Sequence, residues 1–279
     1  MKGKIIPLKP RGDVEQQQDA GNPARKPGAL LPEPMQEVER LIWRASARAP
    51  SALREHLIAI AEQGERFCPA LFLLIAASGR AESPQTYRLA ASLEALHLAL
   101  ETHRDITASS GTLSPKEAIL CGDFYFGLAL TLAGSHPLFV QGMAEVITRF
   151  AASTINMPGR SADTRDHKEH LQRVCDGSAS IFALSCTLGA SHGGLKPWQN
   201  EALSYYGLYL GIGLQLKREV ENFKLNLKEK RPLLKACLPL IYTLAKSPLH
   251  KKLALLLNQA MSDREHEILI REINRVKPW

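Results

Sequence analysis

The amino-acid sequence predicts an all-α protein, a bundle of roughly ten helices around a central cavity. Apolar residues recur at three- and four-residue spacing along most of the chain, as in Leu89, Leu93, Leu96 and Leu100. This is the period of a helix with one buried face. Runs of β-branched residues are short and do not alternate with polar residues for long, so no strand is predicted. With 279 residues, of which 45% are hydrophobic, the chain can bury a sizeable core.

The first 34 residues differ in composition from everything that follows. They contain six of the 17 prolines and three consecutive glutamines, and they show little apolar periodicity. Such a composition is typical of a disordered segment. We therefore predict a disordered tail over residues 1–34 and a single helical domain over residues 35–279.

Within the helical domain, the apolar pattern places the helices and local signals mark several of their starts. A serine that can cap a helix precedes a proline or an acidic residue at Ser83, Ser114 and Ser262. The connections between helices are short, as is usual between antiparallel neighbours. In order, the helices are predicted near residues 38–42, 53–61, 87–103, 118–133, 143–155, 170–188, 200–222, 233–245, 251–261 and 264–276.

The cysteines and the apolar runs indicate the kind of environment in which the protein works. None of the five cysteines forms a Cys-x-x-Cys pair, so neither a zinc ribbon nor a disulfide framework is predicted. No apolar run is long enough to span a membrane, and no leader segment is recognisable at the N-terminus. These features predict a soluble, cytoplasmic protein.

The net charge of +7 is concentrated in one part of the chain. Residues 217–252 contain ten Lys or Arg and three acidic residues. This excess could face an anionic partner, or it could form an ordinary solvated surface. The second interpretation is favoured, because no aromatic interleaving or nucleic-acid motif accompanies the charge. No nucleic-acid partner is therefore predicted.

Two helical segments, residues 93–108 and 206–222, end in related polar patterns. The first ends in Arg104-Asp105 and the second contains Arg218-Glu219. Both resemble the aspartate-rich helices of the trans-isoprenyl (polyprenyl) diphosphate synthases, each of which carries Asp-Asp-x-x-Asp. Further fragments resemble that family in the family's order: residues 64–70 (Gly-Glu-Arg-Phe-Cys-Pro-Ala), 118–124 (Ala-Ile-Leu-Cys-Gly-Asp-Phe), 177–182 (Gly-Ser-Ala-Ser-Ile-Phe), 211–216 (Gly-Ile-Gly-Leu-Gln-Leu) and 238–242 (Leu-Pro-Leu-Ile-Tyr).

The resemblance implies an isoprenoid-synthase-type bundle and a reaction that depends on magnesium. In the family, Mg²⁺ neutralises the diphosphate that leaves an allylic substrate, and Mg²⁺ requires hard oxygen ligands. Here an arginine stands at the first ligand position of each motif, and neither motif retains the family's net negative charge. Arginine is always charged and repels a cation. We therefore expect no metal site and no cofactor, with Mg²⁺ required only if the chain is an active enzyme.

The diphosphate-binding positions implied by the resemblance are only partly retained. Glu65 and Cys68 match a lysine and an arginine of the family, and Gly177 matches a lysine. Arg66, His97 and Gln215 match the family's pattern and are the predicted remnants of diphosphate binding. His97 fits a diphosphate contact and a core histidine equally well.

The remnant motif positions Arg104, Asp105, Arg218 and Glu219 admit two arrangements. Asp105 and Glu219 could share one metal ion, or they could pair with Arg218 and Arg104 across the cavity. Ion pairs are favoured, because four unpaired buried charges would be costly. Four further residues have the spacing of metal ligands: Asp163, Asp166, His167 and His170. A solvated loop that enters a helix is the favoured interpretation of this segment.

The favoured hypothesis is a polyprenyl synthetase family protein of isoprenoid biosynthesis that is itself non-catalytic. It would be the regulatory or structural subunit of a heteromeric prenyl diphosphate synthase, whose other subunit is catalytic. One alternative is an active trans-prenyltransferase with an altered metal site. Another is a protein that binds an isoprenoid or anionic lipid, with Arg104 and Arg218 as anion clamps. No catalytic residue is predicted securely, and an isoprenoid diphosphate remains a candidate ligand.

Overall fold

The computed structural model of the chain describes residues 31–79, 83–105, 113–155, 167–228, 237–256 and 263–277. These residues form helices and turns without any strand, which confirms the all-α prediction. The helices are α1 (Pro32–Ala47), α2 (Ser51–Gln63), α3 (Phe67–Ala76), α4 (Pro84–Asp105), α5 (Pro115–Ala133), α6 (Pro137–Ile155), α7 (His167–Val174), α8 (Ser180–His192), α9 (Pro197–Lys228), α10 (Leu238–Lys246), α11 (His250–Leu256) and α12 (Asp263–Val276).

The predicted boundary between the tail and the helical domain lies close to the start of α1. Nearly all of the predicted tail lies outside the described residues, and α1 begins at Pro32, slightly before the predicted boundary. None of the helices in the described ranges is both long and apolar enough to cross a membrane.

Two predicted helix starts can be compared directly with the structure. At the start of α5, Ser114 Oγ accepts a hydrogen bond from the backbone N–H of Glu117, and the carboxylate of Glu117 accepts one from the N–H of Ser114, 2.9 Å away. This reciprocal capping satisfies two backbone donors that the helix leaves free. At the start of α4, Ser83 Oγ accepts a hydrogen bond from the N–H of Thr86. The third predicted cap, Ser262, lies outside the described residues.

Helix α4 is the central element of the bundle. Every residue from 89 to 100 is buried, because α1, α3, α5 and α8 all pack against it. The same stretch holds two buried ionisable side chains, Glu94 and His97. Since buried charges need partners, the neighbours of α4 must supply them, and the ion pairs described below do so.

Helix α9 lies directly against α8 because its contact face carries glycines. A Cβ atom at Gly207 would overlap the carbonyl oxygen of Phe182, and one at Gly211 would lie 2.8 Å from Cα of Ala179. Only the absence of a side chain permits this approach. The close packing brings the middle of α9 towards the C-terminal end of α4, where the two motifs meet.

The last helices form a smaller apolar cluster of their own with the end of α9. Phe223 of α9 packs there with residues of α10, α11 and α12, including Leu240, Leu253 and Ile273. This packing holds the N-terminus of α10 beside the second motif.

Two departures from the predicted helices have clear physical causes. Helix α3 was not predicted separately, because most of its residues are buried and its sequence lacks a polar face with helical period. The helix predicted over residues 170–188 is instead α7 and α8, joined by a π-helical turn at Cys175–Ala179. A one-turn π-bulge leaves no recognisable pattern in a single sequence.

Candidate functional site

The two motif helices meet at a carboxylate that lies one turn before the first motif. Glu101 Oε1 is 2.9 Å from Nη2 of Arg104, on the same helix, and 3.5 Å from Nη1 of Arg218, on α9. One carboxylate thus joins Arg104 on α4 and Arg218 on α9. The sequence analysis expected Asp105 and Glu219 to pair with Arg218 and Arg104, and it did not single out Glu101, which contacts both arginines in the structure.

Arg218 also extends this contact to the connection between α2 and α3. Its Nη2 group forms an ion pair with the carboxylate of Glu65. These contacts form an ion-pair network that connects α4 to α9 and connects both helices to the start of α3. Its members are Glu65, Glu101, Arg104 and Arg218.

Glu101 is anionic at neutral pH in this setting. Burial by itself would raise its pKa, but the charges of Arg104 and Arg218 and the contact with His97 outweigh that effect. The pKa of Glu101 therefore lies well below its usual range. His97 is buried, with Nε2 3.4 Å from Glu101 Oε1 and its ring edge against Phe182.

The carboxylate of the second motif has a different set of partners. Glu219 Oε2 lies 2.9 Å from Nε2 of His170 and accepts a hydrogen bond from the backbone N–H of Leu238, also at 2.9 Å. Glu219 Oε1 accepts a longer bond from Gln215. Glu219 therefore connects α7, α9 and the N-terminus of α10, a favourable place for a negative charge.

The position of His170 corrects the interpretation of its segment as a solvated loop. His170 lies in the first turn of α7 and is only 3% exposed. Val174, one turn later, is buried on the same face of the helix. The four-residue spacing of His170 and Val174 was the sequence signal for a buried helix face. Asp163 and Asp166 lie outside the described residues, and His167 is exposed at the start of the helix.

Arg66 points into the protein. Its side chain is 7% exposed, and its guanidinium bonds to Glu94 at 2.7 Å, to Glu39 at 3.3 Å and to the carbonyl oxygen of Ala61 at 2.6 Å. Its backbone is left-handed, with φ of 64°, and a Cβ at Gly64 would overlap its Nη1 atom. These contacts occupy the guanidinium of Arg66 with other groups of the protein, so this side chain stabilises the fold.

A cleft of about 470 Å³ borders the network between α2, α4, α5 and α9. Its polar lining includes His56, Gln63, Glu65, His97, Glu101, Thr102, Arg218, Glu221 and Asn222. Arg104, Gln215 and Glu219 line a separate, smaller cavity between the end of α4, α6, the α7–α8 region and α9. The structure therefore divides the predicted site residues between two cavities and the core. The side chain of Asp105 lies outside the described residues.

The side chains at the site do not fit a magnesium cluster. Glu101 contacts the guanidinium groups of Arg104 and Arg218, and Glu219 is bound to His170 and a backbone N–H. Mg²⁺ needs several free oxygen ligands in octahedral geometry. In the part of the chain that the structure describes, no group of three or more His, Cys, Asp or Glu side chains could hold a metal ion.

Comparison with known proteins agrees with this fold. The chain is 23% identical over 209 residues to heptaprenyl diphosphate synthase component 2 of Geobacillus stearothermophilus, covering 70% of this chain and 65% of that protein. It is 23% identical over 178 residues to geranylfarnesyl diphosphate synthase of Methanosarcina mazei, covering 57% of this chain and 58% of that protein. These matches thus span less than two thirds of the relatives' length.

Solved structures show the same architecture over more of the chain. A polyprenyl synthase from Caulobacter crescentus CB15 superposes with a TM-score of 0.76 at 23% identity, covering 91% of this chain and 84% of that one. A heptaprenyl diphosphate synthase from Staphylococcus aureus gives 0.74 at 22% identity, covering 88% and 85%. The sequence model described as polyprenyl synthetase matches residues 50–271. The chain belongs to the polyprenyl synthetase family.

Proposed function

We propose that this chain is a non-catalytic subunit of a heteromeric prenyl diphosphate synthase. The observation that carries the proposal is the shared carboxylate: Arg104 and Arg218 both bind Glu101 at the junction of the two motif helices. An ion-pair network then does structurally what bridging metal ions would do, joining the two helices without magnesium. The fold is kept while the ligands for the reaction are replaced.

The region corresponding to the family's second set of diphosphate contacts supports the same proposal. Glu65 brings a negative charge to this region and binds Arg218. Arg66 is turned inward onto Glu94, and Cys68 is fully buried. Burial raises the pKa of the Cys68 thiol well above its usual value, so it is neutral. A diphosphate would find repulsion here instead of several cations.

The names of the relatives suggest the kind of partner. Two of them are called component 2 of a heptaprenyl diphosphate synthase, a name for one part of an enzyme with more than one component. We propose that a catalytic prenyl diphosphate synthase is the partner of this chain. Helix α5 offers a surface for it, since Ile119, Leu120 and Leu130 are all exposed, and exposed aliphatic groups favour association.

The test is co-expression with a catalytic prenyl diphosphate synthase of the same organism. The chain alone should give no turnover of allylic and isopentenyl diphosphates with Mg²⁺. The complex, isolated through a tag on this chain, should differ from the partner alone in rate or product length. Activity of the complex should vanish when the partner's aspartate-rich motif is replaced, and should survive Glu219→Gln here.

The surface on α5 can be tested in the same system. Leu120→Glu places a charge on an exposed residue and should abolish co-purification while leaving the helical circular dichroism unchanged. Leu225→Glu, at an exposed leucine on α9, is the matched control and should leave the complex intact. Equal loss of the complex in both variants would remove α5 from the proposal.

The alternative of an active prenyltransferase would give a different result. An active prenyltransferase with an altered metal site predicts magnesium-dependent turnover by the chain alone, lost in Glu219→Gln or Asp105→Ala. Such turnover would overturn the proposed role. The absence of any complex and of any effect on the partner's products would overturn it equally.

A further inference from the structure

Helices α10 and α11 present an exposed surface on the side away from the smaller apolar cluster. Their buried sides, which include Leu240 and Leu253, pack with residues of α9 and α12. The turn between them is fixed, because Ser247 Oγ donates a hydrogen bond of 2.6 Å to the buried carboxylate of Glu272 on α12. The large or charged residues that are exposed here form what we call the α10–α11 surface: Tyr242, Lys246, Leu249, Lys251, Lys252 and Leu255.

The charge of this surface is of one sign. Residues 230–262 contain six Lys or Arg and no acidic residue. Three of these cations, Lys246, Lys251 and Lys252, lie in the described part of the stretch, and all three are exposed. The carboxylate of Glu272 is already bound to Ser247 and Arg275. The surface therefore has the charge that is complementary to an anionic partner.

Exposed apolar side chains lie among these lysines. Leu255 is 69% exposed, Tyr242 is 42% exposed and Leu249 is 40% exposed. Lys251 and Leu255 are four residues apart and so share a face of α11. On α10, the Nζ atom of Lys246 lies 6.0 Å from the centre of the Tyr242 ring. Both helices thus place an ammonium group beside an exposed apolar group.

This mixture of side chains fits a lipid surface better than a protein partner. Lysine is depleted in protein–protein interfaces, whose cores exclude charged groups. At a bilayer, the aliphatic stem of a lysine lies along apolar groups while its ammonium reaches the headgroups. Leucine and tyrosine side chains enter the boundary between headgroups and acyl chains. The sequence alone favours an ordinary solvated surface here, but it does not show that Leu249 and Leu255 are exposed.

We propose that the α10–α11 surface docks this chain on an anionic membrane surface. The three lysines bind phosphate headgroups, and Leu249 and Leu255 enter the boundary below them. The contact is peripheral and reversible, because it rests on three charges and a few apolar side chains. This inference goes beyond the subunit role and does not depend on it, because docking needs no partner chain.

Co-sedimentation of the full chain with large unilamellar vesicles tests the proposal. Vesicles with about one third phosphatidylglycerol in phosphatidylcholine are compared with vesicles of phosphatidylcholine alone. The chain should bind the anionic vesicles at least about tenfold more tightly, since the lysines are attracted only to the former. Higher salt should weaken this binding, because it screens the attraction.

A variant without the three charges locates the binding surface. Replacing Lys246, Lys251 and Lys252 together by Gln should weaken binding to anionic vesicles by about a hundredfold, since each cation near such a membrane contributes about fivefold. The matched control removes the same charge from exposed lysines of other elements and should bind far more tightly than this variant. Its three substitutions are Lys116→Gln, Lys168→Gln and Lys196→Gln.

The apolar part of the surface is tested separately. Leu255→Ser should weaken binding to anionic vesicles by about tenfold, because a leucine no longer leaves water on docking. Leu130→Ser, at an exposed leucine on α5, is the matched control and should bind as the wild type does. Should the triple lysine variant fail to fold by circular dichroism, Lys251→Gln and Lys252→Gln replace it singly. Each should weaken binding by about fivefold.

Three results would overturn the proposal. The first is the absence of binding to anionic vesicles, which would favour an acidic protein as the partner of this surface. The second is equal binding to both kinds of vesicle. The third is an equal loss of binding in the lysine variant and its control, which would assign the binding to net charge alone. None of them bears on the subunit role, which is read from the complex with a partner and its products.

Discussion

Arg66 and Arg218 both bind carboxylates near the start of α3, but they do so in different surroundings. The side chains of the Arg66–Glu94 pair are 7% and 0% exposed, whereas those of the Arg218–Glu65 pair are 23% and 43% exposed. Breaking a buried pair leaves an uncompensated charge, while an exposed pair is screened by water. The comparison indicates that Arg66 supports the fold and that Arg218 shapes the cleft.

The surroundings of Glu94 sharpen this difference. It lies in the fully buried stretch of α4, and among the described residues its second oxygen has no hydrogen-bond partner. Arg66 is its counterion at 2.7 Å. Glu65, in contrast, is open to solvent at the edge of the cleft, where water can replace a lost partner. The first pair should therefore be far less tolerant of substitution.

The largest expected effect comes from breaking the buried pair. Arg66→Ala should lower the free energy of unfolding by about 3–5 kcal/mol, because it leaves Glu94 buried without a counterion. Chemical denaturation followed by circular dichroism measures this. The control is Arg40→Ala, which removes an exposed ion pair with Glu37 on α1 and should leave the free energy of unfolding nearly unchanged. Similar small losses in both variants would contradict the assignment of Arg66 to the fold.

An intermediate effect is expected at the centre of the ion-pair network. Glu101→Gln keeps the shape of the side chain but removes the charge that Arg104 and Arg218 share. The partly buried guanidinium groups then lose a charged acceptor, at a cost of about 1–3 kcal/mol. Glu37→Gln, at the exposed pair on α1, is the matched control and should cost less. A Glu101 variant as stable as the wild type would show that the network does not hold the two helices together.

The effect of Glu101→Gln on the free energy of unfolding should also depend on pH. The pKa of Glu101 is lowered in the folded protein from an ordinary value of 4.5. A carboxyl group with a lowered folded pKa stabilises the protein above its unfolded pKa, and this contribution is lost as the pH falls through the folded pKa. The stability difference between wild type and Glu101→Gln should therefore be constant near neutral pH and shrink below about pH 4.5. Denaturation series at several pH values measure it, and a difference that persists in acid would contradict it.

These residues also show what the sequence could and could not predict. The helical period of α4, the cap at Ser114 and the order of motif fragments are local signals, so fold and family followed from them. Glu101 and His170 were missed because their roles depend on which side chains approach from other helices. The sequence singled out Arg104 and Arg218, but the carboxylate that contacts both of them, Glu101, is determined by tertiary packing. No local pattern tells which of several acidic residues lies between two helices.

The smallest expected effect lies at the exposed pair and gives the sharpest contrast with Arg66. Glu65→Lys places two cations together at the cleft and should cost up to about 1 kcal/mol. Arg218→Glu should cost more, because it also places a second carboxylate beside Glu101. The double variant restores an ion pair of reversed orientation. A double-mutant cycle should therefore give a favourable coupling of about 0.5–1 kcal/mol. The same exchange between Arg66 and Glu94 should not restore stability, because buried side chains of different shape cannot trade places in a packed core. Strictly additive losses at Glu65 and Arg218 would mean that solvent, and not the ion pair, determines the energetics of the cleft.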